Sequence, residues 1–221
     1  MPTYTLTIKL LSDAIFGRGD GVAGLVDREV EHDPSGFPYL RGRTLKGLLS
    51  EECDNLISIL PSSSQPAWQD TANQLFGTEG SGLGTEAAIH VGDACLPQDL
   101  REAVAAQIHH QELTQSDVLS SLTTIRRQTA LDPVSGIPDA KSLRSSRVIL
   151  RDLEFTAELI SITNPTDEML SLLVMSVKAL RRLGSSRNRG CGHVCCTLPD
   201  LNEKAIQAYL DLFFATMEQS A

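Results

Sequence analysis

The sequence predicts an α+β fold in a single domain over residues 1–221. Three observations support this class: strand-like alternation in residues 3–11, apolar residues at helical spacing from Leu45 to Leu60, and a further strand, helix and strand between residues 148 and 198. A period of two buries one face of a strand, and a period near 3.6 buries one face of a helix. We therefore expect strands and helices to share one core.

The first half of the chain supplies a strand, a helix and a second strand. Residues 3–11 alternate apolar and polar side chains, as a half-buried strand does. The helix that follows ends before Pro61, and Thr44 is its predicted N-cap. A short helix in residues 67–77 and a strand within residues 86–96 complete this half.

The second half adds two insertions and repeats the pattern. Residues 97–122 predict a helical insertion of two short helices, and residues 123–147 a projecting hairpin with an Asp-Pro turn. Residues 148–162 predict one long strand, interrupted near Asp152. A helix closed by Gly184, a final strand and a terminal helix follow. Without its insertions the order is βαββαβ, the pattern of ferredoxin-like and RNA-recognition-motif-like folds.

Composition indicates an ordinary soluble protein, which we expect in the cytoplasm. The 221 residues include 41% hydrophobic and 21% charged residues, and no apolar run is long enough for a membrane helix. Five cysteines without a CxxC pair do not form a disulfide framework. Cys191, His193 and Cys195 alternate along the final strand, where we expect buried side chains rather than a zinc site.

Basic residues are concentrated in three windows, although the net charge is −9. Residues 41–46, 126–151 and 178–189 hold 14 of the 19 lysines and arginines but only two of the 28 acids. The total charge argues against indiscriminate coating of nucleic acid. The distribution predicts a cationic groove on an acidic body if the windows meet in space.

The start of the first helix carries an unfavourable charge pattern. Arg41, Arg43 and Lys46 lie where the helix dipole is positive, so cations there cost a few tenths of a kcal/mol or more each. Either these side chains point into water, or an anion such as a phosphate sits at this helix start.

A second candidate anion site is the loop "GSSRNRGCG", residues 184–192. Gly184, Gly190 and Gly192 would let backbone amides approach a phosphate, and Arg187 and Arg189 would add charged contacts. The alternative is a helix-capping glycine followed by a glycine-rich turn. It is not a Walker loop, because the helix precedes it and no GK[ST] follows.

The chain resembles the CRISPR repeat-associated mysterious protein (RAMP) superfamily in five segments that occur in the family's order. The similar segments are "TIKLLSDAIFGRGDG", "VDREVEHDPSGFPYLRGRTLKGLL", "LFGTEG" with the strand after it, the hairpin with its long strand, and the glycine-rich loop. It departs from the family where Ile15 replaces a frequent histidine and where "RGRT" replaces Pro-Gly-Ser-Ser. The first departure weakens any histidine-based role at that loop.

The resemblance implies a backbone subunit of a type III CRISPR effector complex in antiviral defence. Such subunits bind guide RNA, contact other subunits including further RAMP subunits, and cut complementary target RNA with a loop aspartate and a divalent metal, Mg²⁺ or Mn²⁺. It assigns Asp27 as catalytic residue and metal ligand. It assigns RNA binding, with the hairpin as a thumb, to Arg41, Arg43, Thr44, Lys46, Arg126, Arg127, Lys141, Gly184, Arg187, Arg189, Gly190 and Gly192.

Cleavage within an RNA chain needs the 2′-hydroxyl in line with the scissile phosphate, its proton removed and the phosphate charge offset. A carboxylate can orient the hydroxyl or hold the metal. Asp33 is predicted to be a turn residue instead, because it lies in Asp-Pro-Ser-Gly. Three alternatives remain open: a scaffold that binds guide RNA without cutting, a guide-processing endoribonuclease, and a small-molecule domain.

Overall fold

A computed structural model of the chain describes residues 1–78, 87–130, 136–137 and 142–218. Within these residues, none of the helices has the length and apolar character needed to cross a bilayer. The elements, in chain order, are β1 (Thr3–Leu10), α1 (Gly42–Ser58), α2 (Gln65–Phe76), β2 (Ile89–Val91), α3 (Gln98–His109), α4 (Gln115–Leu122), β3 (Thr123–Gln128), β4 (Arg144–Ile149), β5 (Glu154–Ser161), α5 (Asp167–Ala179), β6 (Val194–Thr197) and α6 (Glu203–Glu218).

Four strands form the central sheet in the spatial order β2-β5-β1-β6. All three pairings are antiparallel, with Leu6 opposite Ala157 and Ile8 opposite Cys196. With α1 after β1 and α5 after β5, this is the ferredoxin-like arrangement, and it confirms the predicted α+β class.

One face of the sheet carries the core. Leu6, Ile8 and Leu10 are buried on β1, as alternation predicts. The same face of β5 buries Phe155, whose ring meets that of Phe16 edge to face with centroids 5.3 Å apart. Helix α5 is buried along nearly its whole length because α1, α2 and α6 all contact it.

The interruption predicted near Asp152 is confirmed, but it separates two strands rather than interrupting one long strand over residues 148–162. Strand β4 ends at Ile149 and β5 begins at Glu154. Between them Asp152 has a left-handed backbone, φ 69°, and its N–H donates to the Leu10 carbonyl at 2.9 Å. Aspartate tolerates this conformation, so no glycine or proline marks the turn in the sequence.

Two helices and a hairpin lie in the two segments that the sequence predicts as insertions. Helices α3 and α4 fill residues 97–122, and a capping box between Thr114 and Asp117 begins α4. Strands β3 and β4 pair antiparallel as a separate two-stranded hairpin, which we call the thumb. Its base joins the body where Ile149 pairs with Ala14.

Candidate nucleic-acid interface

Asp27 lies in a loop, residues 26–31, that runs along the free edge of β4. The Asp27 N–H donates to the Ser145 carbonyl at 2.9 Å, and the Arg147 N–H donates to the Arg28 carbonyl at 3.0 Å. Arg28 and Ser146 form a parallel bridge. This segment, the Asp27 loop, is therefore attached to strand β4 of the thumb.

The Asp27 carboxylate is exposed and held from one side. Its Oδ2 accepts hydrogen bonds from the Ser145 N–H at 2.6 Å and from the Ser145 hydroxyl at 3.2 Å. The backbone N–H of Ser145, then its hydroxyl and, more weakly, the charge of Arg144 lower the pKa of Asp27. Asp27 is consequently ionised at neutral pH and can accept a hydrogen bond or bind a cation.

A buried ion pair anchors the Asp27 loop to strand β4. Arg147 Nε lies 2.8 Å from Glu29 Oε1, and the two side chains are 11% and 3% exposed. Arg147 also donates to the Thr123 hydroxyl at 3.2 Å, and the Val30 N–H donates to Glu29. The pair joins the loop to both thumb strands.

Asp33 has the turn role that its sequence predicts. Its Oδ1 accepts hydrogen bonds from the N–H groups of Ser35 and Phe37, both at 2.9 Å. These bonds close the Asp-Pro-Ser-Gly turn, so the carboxylate is used for local structure.

The glycine-rich loop, residues 184–192, lies against the segment that follows β1. The Ser185 N–H donates to the Ile15 carbonyl at 2.8 Å. Gly184 and Gly192 have positive φ values, and a Cβ added to either would meet a backbone carbonyl oxygen closer than 3 Å. Gly190 also has positive φ but nothing within 4 Å of that position. Gly184 and Gly192 are thus required by packing, whereas Gly190 borders open space.

Two adjoining clefts bring the sequence-predicted regions together. One is lined by Arg41 and Thr44 of α1 together with Gly184 and Arg187 of the glycine-rich loop. The other is lined by two acids, Glu51 and Glu52, and by five arginines: Arg28, Arg144, Arg182, Arg187 and Arg189. The second of these, which we call the arginine cleft, therefore joins residues of the basic windows 126–151 and 178–189, and the first brings window 41–46 next to it.

Three of these arginines are functional candidates beyond the predicted set. Arg144 and Arg182 fall inside the predicted basic windows, so their position in the sequence was a usable signal. Arg28 is adjacent to Asp27 but outside the windows. Only the attachment of its loop to β4 brings it beside Arg144.

The cations at the start of α1 are not equivalent. Arg41 pairs with the nearly buried Glu31 at 2.7 Å. Helix α1 begins at Gly42, so the predicted N-cap Thr44 is wrong; the N-cap residue is Arg41. A Cβ on Gly42 would clash with the Val91 carbonyl oxygen, which explains why the helix enters at a glycine.

The anion expected at this helix start is an aspartate of the protein itself. The Gly42 N–H donates to Asp93 Oδ1 at 2.7 Å. Asp93 therefore binds one free amide of the helix start, where a bound phosphate is one of the two predicted alternatives. Arg43 and Lys46 line a separate cleft on the flank of α1, next to Glu51, which borders the arginine cleft too.

The thumb cations also differ from one another. Both Arg126 and Arg127 are exposed. Arg126 forms an ion pair in which its Nη2 lies 2.6 Å from Asp13 Oδ2. Asp13 also accepts the Arg151 N–H through Oδ1 at 3.1 Å, and its carbonyl accepts the Gly192 N–H at 2.8 Å. Asp13 thereby connects the thumb base, the turn before β5 and the glycine-rich loop. Lys141 lies outside the described residues.

The final strand offers no metal centre. Cys191 is buried, but His193 and Cys195 are exposed, so the prediction that all three lie in the core is wrong. Strand alternation turns Val194 and Cys196 inward instead. In the part of the chain that the structure describes, no three His, Cys, Asp or Glu side chains are grouped to hold a metal ion.

The open face of the sheet lacks an aromatic platform for stacking bases. Lys9, Glu154 and Glu158 are exposed there, and within the described strands this face carries no Phe, Tyr or Trp. Single-stranded RNA on an RNA-recognition sheet is held by such aromatic residues. The arginine cleft is therefore the better candidate for contact with RNA.

Comparison with known proteins agrees with this architecture. A chain of the type III-B Cmr-beta complex in its apo state is 12% identical, with a TM-score of 0.61 over 89% of this chain and 96% of that one. A chain of type III-B Cmr-beta bound to cognate target RNA is 12% identical, with a TM-score of 0.63 over 95% and 99%. At this identity the likeness shows the fold alone.

A comparison of the sequence with models of protein families assigns the chain more directly than the structural likeness does. No curated protein sequence matches the chain. The family model described as the RAMP superfamily matches residues 7–195, which include the second half of β1, the Asp27 loop, the thumb and the glycine-rich loop. Because this match spans most of the sequence, the chain belongs to the RAMP superfamily.

Proposed function

We propose that this protein is a guide-RNA-binding backbone subunit of a type III CRISPR effector complex that cleaves complementary target RNA through Asp27. The observation that carries the proposal is the position of Asp27. Its exposed, ionised carboxylate is fixed to strand β4 of the thumb, and Arg28 beside it lines the arginine cleft. An acid next to a cationic groove is an arrangement that RNA cleavage needs.

The arginine cleft would hold the sugar-phosphate backbone. Arg28, Arg144, Arg182, Arg187 and Arg189 supply planar, charged donors suited to phosphate oxygens. Contacts of this kind fix position without reading base sequence. A backbone subunit must accept guides of any sequence, so recognition through phosphates fits the role.

A divalent metal is compatible with the residues around Asp27. Mg²⁺ is commonly bound by one or two carboxylates, with waters and substrate phosphates as its other ligands, so Asp27 alone can be its protein ligand. Bound Mg²⁺ or Mn²⁺ would supply positive charge to offset the developing oxyanion. Asp27 would orient the 2′-hydroxyl or the ion, while Arg28 and Arg144 would attract the phosphate.

The proposal has consequences for the protein's surroundings. Its partners would be guide RNA, complementary target RNA and other subunits of the complex, including further RAMP subunits. Its setting would be antiviral defence in the cytoplasm. Related complexes support this role, since one of the two similar structures is described as bound to cognate target RNA.

The decisive experiment is target cleavage by the purified effector complex that contains this chain and its guide RNA. We expect Asp27→Ala to reduce cleavage at this subunit's site by a factor of about 100 or more, with guide and target binding retained. Asp20→Ala is the matched control, because Asp20 is an exposed acid that pairs with Arg18. Unchanged cleavage in Asp27→Ala would show that Asp27 does not cut the target. It would favour the alternative in which this chain is a scaffold that binds RNA without cutting.

A further inference from the structure

We infer that Ser145, in strand β4, is a positioning residue that fixes the Asp27 carboxylate for cleavage of target RNA. The inference rests on the proposed function, because it gives Ser145 this role only if Asp27 takes part in the reaction. It concerns an interaction across 118 residues of sequence, between the loop after β1 and the thumb.

The geometry of the contact carries the inference. The Asp27 backbone donates to the Ser145 carbonyl at 2.9 Å, so the two residues lie side by side. The Ser145 N–H and hydroxyl then both donate to Asp27 Oδ2, at 2.6 and 3.2 Å. An aspartate in an exposed loop would otherwise sample several side-chain rotamers. Two donors on one oxygen select a single orientation.

The same contact keeps one carboxylate oxygen for chemistry. Both donors bind Oδ2, which leaves the lone pairs of Oδ1 for a hydroxyl proton or a metal ion. A reacting group must be held close to its productive geometry, and an error of about 1 Å can cost roughly 100-fold in rate. Ser145 would therefore act on the rate of cleavage rather than on the binding of RNA.

The loop has other anchors that do not depend on the Ser145 hydroxyl. The Arg147 N–H donates to the Arg28 carbonyl at 3.0 Å, and the buried Glu29–Arg147 pair holds the loop two residues from Asp27. Replacing the hydroxyl should consequently leave the loop and the thumb in place. This separates a positioning role from a structural one.

The test is single-turnover cleavage of end-labelled target RNA by the purified complex with its guide. We expect Ser145→Ala to lower the rate constant at saturating target by about 10-fold, the effect of losing one hydrogen bond to a charged group. Target affinity should stay within about 2-fold, and Ser145→Thr, which retains the hydroxyl, should restore most of the rate. Ser146→Ala is the control, because alternate strand residues point to opposite faces.

Each outcome distinguishes this inference from the function on which it rests. If Asp27→Ala abolishes cleavage while Ser145→Ala cleaves at the wild-type rate, the positioning role is wrong and the proposed function stands. A parallel loss of target affinity and rate in Ser145→Ala would indicate a structural or binding role and overturn the inference. Wild-type cleavage by Asp27→Ala would overturn both proposals.

Discussion

At the scale of single residues, the three glycines of the glycine-rich loop have different structural roles despite similar φ values. Gly184, Gly190 and Gly192 have φ values of 79°, 79° and 73°. Of the three, Gly184 and Gly192 lie against backbone, where an added Cβ would clash with the carbonyl oxygens of Ile15 and Leu183 respectively. The loop owes its shape to these two close approaches.

We predict that Gly192→Ala lowers the free energy of unfolding by about 3 kcal/mol or more, because left-handed strain adds to a backbone clash. Gly190→Ala, the matched control, should cost only about 1 kcal/mol, since it adds left-handed strain alone. Chemical denaturation of the purified variants measures both values. Equal losses would show that the close approach to Leu183 does not determine stability.

At the scale of elements, the Asp27 loop and the thumb behave as one unit. The loop is hydrogen-bonded to β4, and the buried Glu29–Arg147 pair lies beneath this attachment. Breaking a buried pair leaves an uncompensated charge in a dry environment, whereas removing both charges avoids that cost. The two elements are therefore coupled through electrostatics as well as through the backbone.

We predict that Arg147→Met destabilises the protein by about 3 to 5 kcal/mol, because Glu29 is left buried without its partner. Adding Glu29→Gln to this variant should recover part of the loss. Arg127→Met, in the exposed strand position opposite Ser145, should change stability by less than about 0.5 kcal/mol. Thermal unfolding of the wild type, Arg147→Met, Glu29→Gln and the double variant gives the coupling energy, and strictly additive losses would contradict the ion-pair explanation.

At the scale of the whole molecule, positive charge is gathered on one surface of an acidic protein. The net charge is −9, yet the arginine cleft has five arginines and only two acids. The cleft next to it contains Arg43 and Lys46. Such segregation would restrict bound RNA to this side of the protein, since an acidic remaining surface repels phosphates.

Charge reversal tests this surface. We predict that Arg43→Glu or Lys46→Glu weakens RNA binding by about 10-fold or more and lowers the salt dependence by roughly one phosphate contact. In Arg43→Glu, the free energy of unfolding should fall far less than the free energy of RNA binding, because the Arg43 side chain is exposed. Lys204→Glu on α6 is the control of equal charge change. Equal weakening by Lys204→Glu would indicate a general charge effect instead.

Sequence periodicity sufficed for the core elements, because local patterns set them. The buried positions of β1 and the amphipathic face of α1, with Leu45, Leu49 and Cys53 inward, follow directly from spacing. Thr166 and the acids after it mark the start of α5 in the same way. The separation of β4 from β5 was not predictable in full, since a left-handed Asp152 makes the turn.

The sequence could predict candidate residues of the site but not their hydrogen-bond partners. The glycine-rich loop and the cations of α1 were identifiable as candidates from motifs and charge, and Asp27 only from the family resemblance. Their partners were not, because Asp93 and Ser145 come from distant segments and no spacing rule links them. Tertiary contacts place Asp93 at the start of α1, where the sequence allowed a phosphate.

The contacts of Asp13 help to fix the orientation of the thumb relative to the body. One carboxylate and one carbonyl tie Arg126, the Arg151 N–H and the Gly192 N–H together. The angle between hairpin and body is thus set before any RNA arrives, and little conformational entropy remains to be lost at that joint. In a row of such subunits, a preset joint would space successive thumbs evenly, so that Asp13 would help to define the repeat length of the assembly.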